Sequence, residues 1–213
     1  MDYKKELVLY AHMLEEKGYV NALEGNISIV DRENRRLYIT PSGIRKKFLT
    51  EEMIAVLDYD TEEQIEGTCK ASSEYRLHKA CYETRPDTNG CVHTHCTYLT
   101  AFALRSESIK IKCNAAFAIV AKGEIKCIPY GEPGTPAIAN GIGDAIADRN
   151  ICLLGNHGVV SVGKDLASAF RIMEGMEETV RTYIVARSIG GEPNPLPDEV
   201  LEKLENKANW IGK

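Results

Sequence analysis

Strand-like and helix-like segments are mixed along this chain without a regular β-α-β alternation. Residues 27–30 and 36–40 are short apolar runs joined by a polar turn, a pattern that predicts two strands. Apolar side chains at helical spacing instead mark residues 4–17, namely Leu7, Tyr10, Ala11 and Leu14. This mixture predicts an α/β or α+β domain with a mixed sheet and helices outside it.

The rest of the chain continues the same mixture. Ser72 and Ser73 begin a predicted helix that ends before Pro86, and two further helices are expected over 97–104 and 165–189. Strands are predicted near residues 91–95, 125–130, 151–154 and 158–162. A Gly- and Pro-rich linker then leads to a short tail helix, so we expect a single domain over 1–213 with its linker at 190–197 and its tail helix at 198–207.

Charge and cysteine content exclude several classes of protein. The 213 residues carry 26 Lys and Arg against 31 Asp and Glu, whereas proteins that bind nucleic acid or anionic membranes usually have a basic excess. The sequence shows neither a run of about 18 apolar residues nor a signal peptide. Its seven cysteines include no C-x-x-C pair, which is typical of free thiols in a reducing compartment. We therefore expect a cytoplasmic protein without nucleic-acid or membrane partners.

Three of the five histidines suggest a metal site. His93 and His95 are separated by one residue, and side chains at i and i+2 of a strand point to the same face. Two converging neutral imidazoles suit a borderline-soft cation, although two surface histidines would have the same spacing. His157 lies in a turn between glycines and is the natural third ligand. Three histidines with an open position are typical of catalytic zinc sites.

Other residues compete for the remaining position at such a site. Glu74 lies at a predicted helix start, where a carboxylate also stabilises the helix dipole without any further role. His78 lies one helical turn from Glu74, and Cys91 is on the same strand face as His93 and His95. The residues alone leave these alternatives open.

Three loops offer backbone N–H groups and hydroxyl or amide side chains to an anion. They are centred on Gly25-Asn26, Ser42-Gly43 and Ser72-Ser73. The last pair precedes a predicted helix, whose N-terminus favours a phosphate. None of the loops matches a P-loop or a dinucleotide fingerprint. Beside a metal site, they suggest a phosphorylated small molecule as ligand.

Seven motifs, taken in order, resemble the class II aldolase/adducin family. They span roughly residues 7–205 and are Gly25-Asn26-Ile27-Ser28, Ile39-Thr40-Pro41-Ser42-Gly43-Ile44, Ser72-Ser73-Glu74-Tyr75-Arg76, Arg85-Pro86-Asp87, Val92-His93-Thr94-His95, Pro129-Tyr130 with Gly134-Thr135, and His157-Gly158. The resemblance implies a three-layer α/β/α sandwich around a mainly antiparallel central sheet. It also implies a homotetramer with active sites between subunits.

The resemblance further implies roles for the candidate residues. Zinc, with Mn²⁺ or Co²⁺ as substitutes, would be held by His93, His95 and His157, with Glu74 as a displaceable fourth ligand. The phosphate of the substrate would be held by Gly25, Asn26, Ser42, Gly43, Ser72 and Ser73. The reaction would be the reversible cleavage of a ketose 1-phosphate to dihydroxyacetone phosphate and an aldehyde. L-fuculose 1-phosphate or a related deoxy-pentulose 1-phosphate would be the substrate.

The chemistry of these residues agrees with that reaction. Breaking a C–C bond beside a carbonyl needs a sink for the developing negative charge, which a Lewis-acid cation supplies. Glu74, released from the metal by the substrate, would then be the base or acid at the donor carbon. Within the family, Ser72-Ser73-Glu74 favours the aldolases over the alternatives, which are a phosphopentulose 4-epimerase and a methylthioribulose-1-phosphate dehydratase.

Two tyrosines of the family have no counterpart here. Residues 112–117 lack the tyrosine that acts as the acid at the aldehyde oxygen, and the tail offers Lys207 and Trp210 in place of the second one. Tyr130 fits a different family position. The sequence therefore leaves the acid at the aldehyde oxygen unassigned and the identity of the aldehyde open.

Overall fold

An eight-stranded sheet runs through the computed structural model, which describes residues 2–207. Its order across the sheet is β4-β3-β2-β1-β5-β8-β7-β6. The strands are β1 (Asn26–Asp31), β2 (Arg36–Ile39), β3 (Ala55–Asp58), β4 (Gln64–Glu66), β5 (Gly90–Thr94), β6 (Cys127–Ile128), β7 (Ile151–Leu154) and β8 (Gly158–Gly163).

The sheet is mixed, and the expectation of a mainly antiparallel sheet is corrected at one edge. β6 pairs with β7 in parallel, whereas the other neighbouring pairs of the described strands are antiparallel. The parallel pair arises because the chain passes from β6 to β7 through a helical connection that contains α5 (Ile142–Ile146). A hairpin would have made this pair antiparallel.

The other helices of the described chain flank the sheet or follow it. They are α1 (Tyr3–Glu16), α2 (Tyr75–Thr84), α3 (Thr97–Leu104), α4 (Ala115–Ala121), α6 (Leu166–Gly190) and α7 (Asp198–Glu205). The carboxylates of Asp2 and Asp165 cap α1 and α6 by accepting backbone N–H groups. None of the described helices is both long and apolar enough to cross a membrane.

Apolar side chains form two clusters, because successive residues of a strand point to opposite faces. In β5, for example, Val92 belongs to the first cluster and Cys91 to the second. Residues of α1, α3, α4 and α6 complete the first cluster, and residues of α2 and α5 complete the second. Each fully buried Leu or Ile stabilises the fold by roughly 1.5–3 kcal/mol.

The ends of three strands meet at one edge and position the candidate site. Asn26 begins β1 and pairs with His93 near the end of β5. On the other side of β5, Thr94 pairs with Val159 of β8, which begins directly after His157. The start of β1, the end of β5 and the β7–β8 turn are therefore neighbours.

Candidate metal centre

The imidazole rings of His93, His95 and His157 form a nearly regular triangle. Their centroids are 5.0, 4.8 and 4.9 Å apart. Nε2 of His93 and Nε2 of His95 are separated by 3.2 Å. Two nitrogens bound tetrahedrally to one zinc ion at ~2.0–2.1 Å would be about 3.3 Å apart, so the observed spacing fits a single shared ion.

Gly158 allows the three rings to approach one another. A Cβ atom at this position would lie 2.6 Å from the carbonyl oxygen of Thr94 and 3.1 Å from both His93 Cε1 and His95 Cδ2. Any side chain would therefore displace the rings or the end of β5. The glycine beside His157 is explained by this close approach, which the sequence predicted in general terms.

The tautomer of His93 is fixed by its surroundings. Its Nδ1 lies 3.0 Å from the carbonyl oxygen of Val159, which can only accept, so Nδ1 carries the hydrogen and Nε2 presents a lone pair to the triangle. Complete burial lowers the pKa of His93 to about 4, against the opposing effect of Glu74. The ring is therefore neutral near pH 7, as a metal ligand must be.

Glu74 lies against two of the three histidines. Its Oε1 is 3.1 Å from Nε2 of His157, and its Oε2 is 3.5 Å from Nε2 of His93. Burial on its own would raise the pKa of Glu74, but its electrostatic interaction with His93 and hydrogen bonds from His157 and Asn26 outweigh that effect and lower the pKa well below the usual value. The group is a carboxylate near neutral pH.

A buried chain of hydrogen bonds supports Glu74 from behind. Asn26 donates from Nδ2 to Oε2 of Glu74 over 2.6 Å, and its Oδ1 lies 2.5 Å from Nε2 of His78. Nδ1 of His78 lies 2.7 Å from the hydroxyl of Ser28, which also contacts the hydroxyl of Tyr82. His78 therefore faces Asn26 and Ser28 rather than the three histidines.

The alternative ligands do not join the triangle. Among residues 2–207, one group of three or more side chains is close enough to hold a metal ion, and it consists of His93, His95 and His157. Cys91 is fully buried in the second apolar cluster, where burial raises the pKa of its thiol well above the usual value.

The start of α2 differs from the prediction. The helix begins at Tyr75, so Glu74 precedes its first turn instead of lying within it.

A cavity of about 260 Å³ opens in front of Glu74, His95 and His157. It is lined by the residues that the family resemblance links to phosphate, namely Gly25, Asn26, Ser42, Gly43, Ser72 and Ser73. Ser42 and Ser72 also fix the loops, since their hydroxyl oxygens accept the N–H groups of Ser73 and Glu74 over 3.3 Å. Residues of three separate loops thus line one space.

Sequence reasoning missed Lys46, which lines the same cavity and is 3% exposed. It belongs to a short 3₁₀ helix, Lys46–Phe48. Burial lowers the pKa of its ammonium group, opposed by Glu15 and Glu74. The only indication in the sequence is a basic run, Arg45-Lys46-Lys47, and such runs usually face solvent.

Known proteins resemble this chain over nearly its whole length. A 5-deoxy-D-ribulose 1-phosphate aldolase of Bacillus thuringiensis serovar kurstaki is 34% identical over 211 residues, which is 99% of this chain and 97% of the relative. A 3-oxo-tetronate 4-phosphate decarboxylase of Haemophilus influenzae is 32% identical over 207 residues, 96% of each chain. A solved L-fuculose 1-phosphate aldolase superposes with a TM-score of 0.87 at 33% identity, covering 96% of this chain and 95% of its own.

The family assignment follows from the sequence match as a whole. Residues 5–184 match the family described as Class II Aldolase and Adducin N-terminal domain, a stretch that includes the histidine triangle, Glu74 and the loops of the cavity. The predicted resemblance and the α/β class II aldolase fold are thereby confirmed. This chain belongs to the class II aldolase and adducin family.

Proposed function

We propose that this protein is a metal-dependent lyase that reversibly cleaves a ketose 1-phosphate to dihydroxyacetone phosphate and an aldehyde. The observation that carries the proposal is the contact of Glu74 with His93 and His157 at the bottom of a cavity lined by the three loops. A metal-dependent aldolase that uses a phosphorylated donor needs a cation site, a proton-transfer group and a phosphate site together. The aldolase names of two similar proteins support the same activity.

The three histidines are the proposed ligands of a zinc ion, one in each subunit. Three histidine ligands with an open fourth side are typical of catalytic zinc, although Mn²⁺ and Co²⁺ accept similar ligands. Glu74 is the proposed fourth ligand, displaced when substrate binds. A divalent cation held there supplies Lewis-acid stabilisation of the negative charge that develops on the substrate carbonyl oxygen.

Glu74 is also the proposed proton-transfer group at the donor carbon. Its carboxylate lines the cavity, and the hydrogen bond from Asn26 fixes the position of Oε2. In the condensation direction, a Glu74 oxygen takes a proton from the carbon beside the carbonyl of dihydroxyacetone phosphate. In the cleavage direction, the same oxygen returns it.

The loops of the cavity are the proposed phosphate site. Gly25, Asn26, Ser42, Gly43, Ser72 and Ser73 line one wall of the cavity beside Glu74. A phosphate held there keeps the donor carbon in reach of Glu74, which lowers the entropic cost of the reaction.

The natural substrate is proposed to be a deoxy-pentulose 1-phosphate or L-fuculose 1-phosphate. These compounds share the three-carbon donor half that the cavity would bind, and they differ in the aldehyde that is released. The acid at the aldehyde oxygen stays unassigned in this proposal. Of the two tail residues considered for it, Trp210 lies outside the described residues.

The proposed assembly is a homotetramer with sites between subunits, each subunit a single three-layer α/β/α domain over residues 1–213. Leu23 supports the shared site, because this large apolar residue lines the cavity and is 91% exposed in the single chain. The two apolar clusters support the layering. The seven free cysteines support a cytoplasmic location.

Decarboxylation of a phosphorylated keto acid is the second candidate, and the similar decarboxylase of H. influenzae favours it. Both reactions leave negative charge beside a carbonyl, so the same centre would suit either. Decarboxylation releases carbon dioxide, whereas the aldolase releases dihydroxyacetone phosphate. The epimerase and the dehydratase considered from the sequence release neither product.

The test of the aldolase uses dihydroxyacetone phosphate alone in heavy water. We expect the zinc-loaded protein to exchange one proton at C3 stereospecifically, with loss of exchange after a chelator removes the metal. Cleavage of 5-deoxyribulose 1-phosphate or L-fuculose 1-phosphate should then yield dihydroxyacetone phosphate. Absence of both exchange and cleavage by the zinc-loaded protein would contradict the proposal, and release of carbon dioxide from 3-oxo-tetronate 4-phosphate would favour the second candidate.

A further inference from the structure

Lys46 is the one Lys or Arg among the described residues that line the cavity. It is almost fully buried, at 3% exposure, and lysine is rarely buried unless its charge is paired. Within residues 2–207, no carboxylate lies at ion-pair distance from its Nζ. Within the same residues, its Nζ donates one long hydrogen bond, 3.4 Å, to the carbonyl oxygen of Ile44. The side chain of Lys46 is therefore buried while its ammonium group has only one weak hydrogen-bond partner among these residues.

The neighbours of Lys46 in sequence have partners elsewhere. Arg45 forms an ion pair with Glu15, and the backbone N–H of Lys47 donates to the same carboxylate. The side chain of Lys47 is exposed and lies over the ring of Phe48. Of the three consecutive basic residues, Lys46 alone turns into the cavity.

The loop residues assigned to phosphate contribute no positive charge to bind an anionic ligand. The six loop residues assigned to phosphate above are neutral, and Glu24 and Glu74 add two carboxylates to the lining. A phosphate dianion bound there by neutral donors alone would be repelled by both carboxylates. A cation beside the loops offsets that repulsion, and its effect is larger in a partly desolvated cavity than in water.

We propose that the ammonium group of Lys46 binds the phosphate of the donor substrate and makes the site selective for phosphorylated over unphosphorylated donors. This inference rests on the function proposed above and adds the charged member of its phosphate site. Lysine binds phosphate as a compact point charge, and charge-assisted hydrogen bonds are about twice as strong as neutral ones.

The test measures equilibrium binding of dihydroxyacetone phosphate to the zinc-loaded protein by calorimetry. Lys46→Met keeps the length and apolar stem of the side chain and removes its charge. We expect its dissociation constant for dihydroxyacetone phosphate to rise at least about tenfold. Inorganic phosphate, added as a competitor, should likewise displace the ligand less well from Lys46→Met than from the parent.

Lys47→Met is the matched control, because it removes the same charge from the adjacent exposed residue. Its dissociation constant should stay within about twofold of that of the parent, since exposed charges are well screened. Lys46→Arg keeps the charge and should recover much of the lost affinity. A Lys46→Met protein that is folded, holds zinc and binds dihydroxyacetone phosphate as well as the parent would overturn the inference.

A second measurement follows the parent protein itself and uses a variant only to identify one resonance. In protein labelled with ¹⁵N at lysine, the slowly exchanging Nζ resonance of buried Lys46, identified by its absence from Lys46→Arg, should shift when inorganic phosphate is added. No shift at saturating phosphate would overturn the inference. The aldolase proposal can fail independently of this inference. A protein that binds phosphate through Lys46, but neither exchanges the C3 proton of dihydroxyacetone phosphate nor cleaves a ketose 1-phosphate, would disprove only the reaction.

Discussion

Asn26 donates from its amide nitrogen to Oε2 of Glu74 over 2.6 Å, and this bond fixes the direction of a whole buried chain of hydrogen bonds. Because the amide oxygen of Asn26 must then accept, His78 carries its hydrogen on Nε2. Its Nδ1 consequently accepts from the hydroxyl of Ser28. Every donor in the chain points toward the carboxylate, an arrangement that favours the ionised form of Glu74 and fixes its orientation.

Glu74→Gln should abolish proton transfer while leaving the fold intact. The amide has nearly the same shape as the carboxylate, but it cannot take a proton from the donor carbon. We expect exchange at C3 of dihydroxyacetone phosphate to fall about 10²–10⁴-fold. The three histidines stay in place, so most of the zinc should remain bound, as measured by metal analysis.

Glu83→Gln is the control for this substitution. Glu83 lies on α2, near Glu74 in sequence, but is exposed. The rate of C3 exchange in Glu83→Gln should equal that of the parent. Near-normal exchange in Glu74→Gln would remove Glu74 from the proposed role.

His78 should influence the reaction through Asn26, without touching the substrate. Gln at this position retains an N–H donor for Asn26, whereas His78→Leu leaves the amide oxygen of Asn26 without a buried partner. We expect His78→Leu to lower the rate of C3 exchange about tenfold or more, because the loss of one such hydrogen bond costs about 1–3 kcal/mol. The rate in His78→Gln should lie between that of His78→Leu and that of the parent. Equal rates in both variants at equal zinc content would contradict a positioning role.

The elements that could be predicted from the sequence are those with strong periodicity. Strands β1, β2, β5, β7 and β8 and helices α1, α3 and α6 were expected close to their observed bounds. β4 was not predicted, because all three of its residues are exposed and show no alternation of buried and exposed side chains. β6 was expected to be longer, and only two residues of it pair with β7.

The part of the candidate site that could be predicted is the group of histidines, which belong to recognisable short motifs. His93, His95 and His157 meet as expected because β5 lies beside the β7–β8 turn, and their binding of zinc stays a prediction. The direction of His78 was not predictable. Its spacing from Glu74 suits a shared ligand, and only the packing of α2 beside β1 brings His78 to Asn26 and Ser28. The role of Lys46 was not predictable for a similar reason. Only the packing of the folded chain buries Lys46 while Arg45 and Lys47 stay exposed.

His157→Ala should lose metal and activity together. With two histidines left, the site has too few nitrogen ligands for tight zinc binding. We expect zinc content after gel filtration to fall to a small fraction of that of the parent, with C3 exchange falling in parallel. His12→Ala is the control, because His12 contacts Leu49 and lies outside the triangle. Full zinc occupancy in His157→Ala would mean that another residue is the third ligand.

Acid should destabilise the metal-free protein through its buried neutral histidines. Burial lowers the pKa of His78 from 6.5 to about 4, so between these values the unfolded chain binds a proton that the folded chain does not. The free energy of unfolding therefore falls as the pH drops from about 6.5 toward 4, by up to roughly 3 kcal/mol for this one residue. His93 and His95, whose pKa values burial also lowers to about 4, act in the same direction.

Urea unfolding near pH 7 and pH 4.5 tests this prediction. His78→Gln cannot take up the proton, so its free energy of unfolding should lose less on acidification than that of the parent. The difference is greatest when zinc is absent, because bound metal adds its own pH dependence. The same pH dependence in both proteins would show that folding does not lower the pKa of His78.

Gly158→Ala should weaken metal binding although alanine is the smallest side chain that can be added. Its Cβ would lie 2.6 Å from the carbonyl oxygen of Thr94 and 3.1 Å from atoms of His93 and His95, and two of these three contacts are with proposed ligands. Relief of the contacts moves the rings apart, so we expect zinc affinity to fall about tenfold or more, since metal affinity is sensitive to ligand orientation. Gly143→Ala is the matched control, because the nearest atom to its Cβ would be 3.9 Å away and α5 tolerates alanine. Competition with a zinc-sensitive chelator measures both affinities, and an unchanged affinity in Gly158→Ala would show that the triangle adjusts without cost.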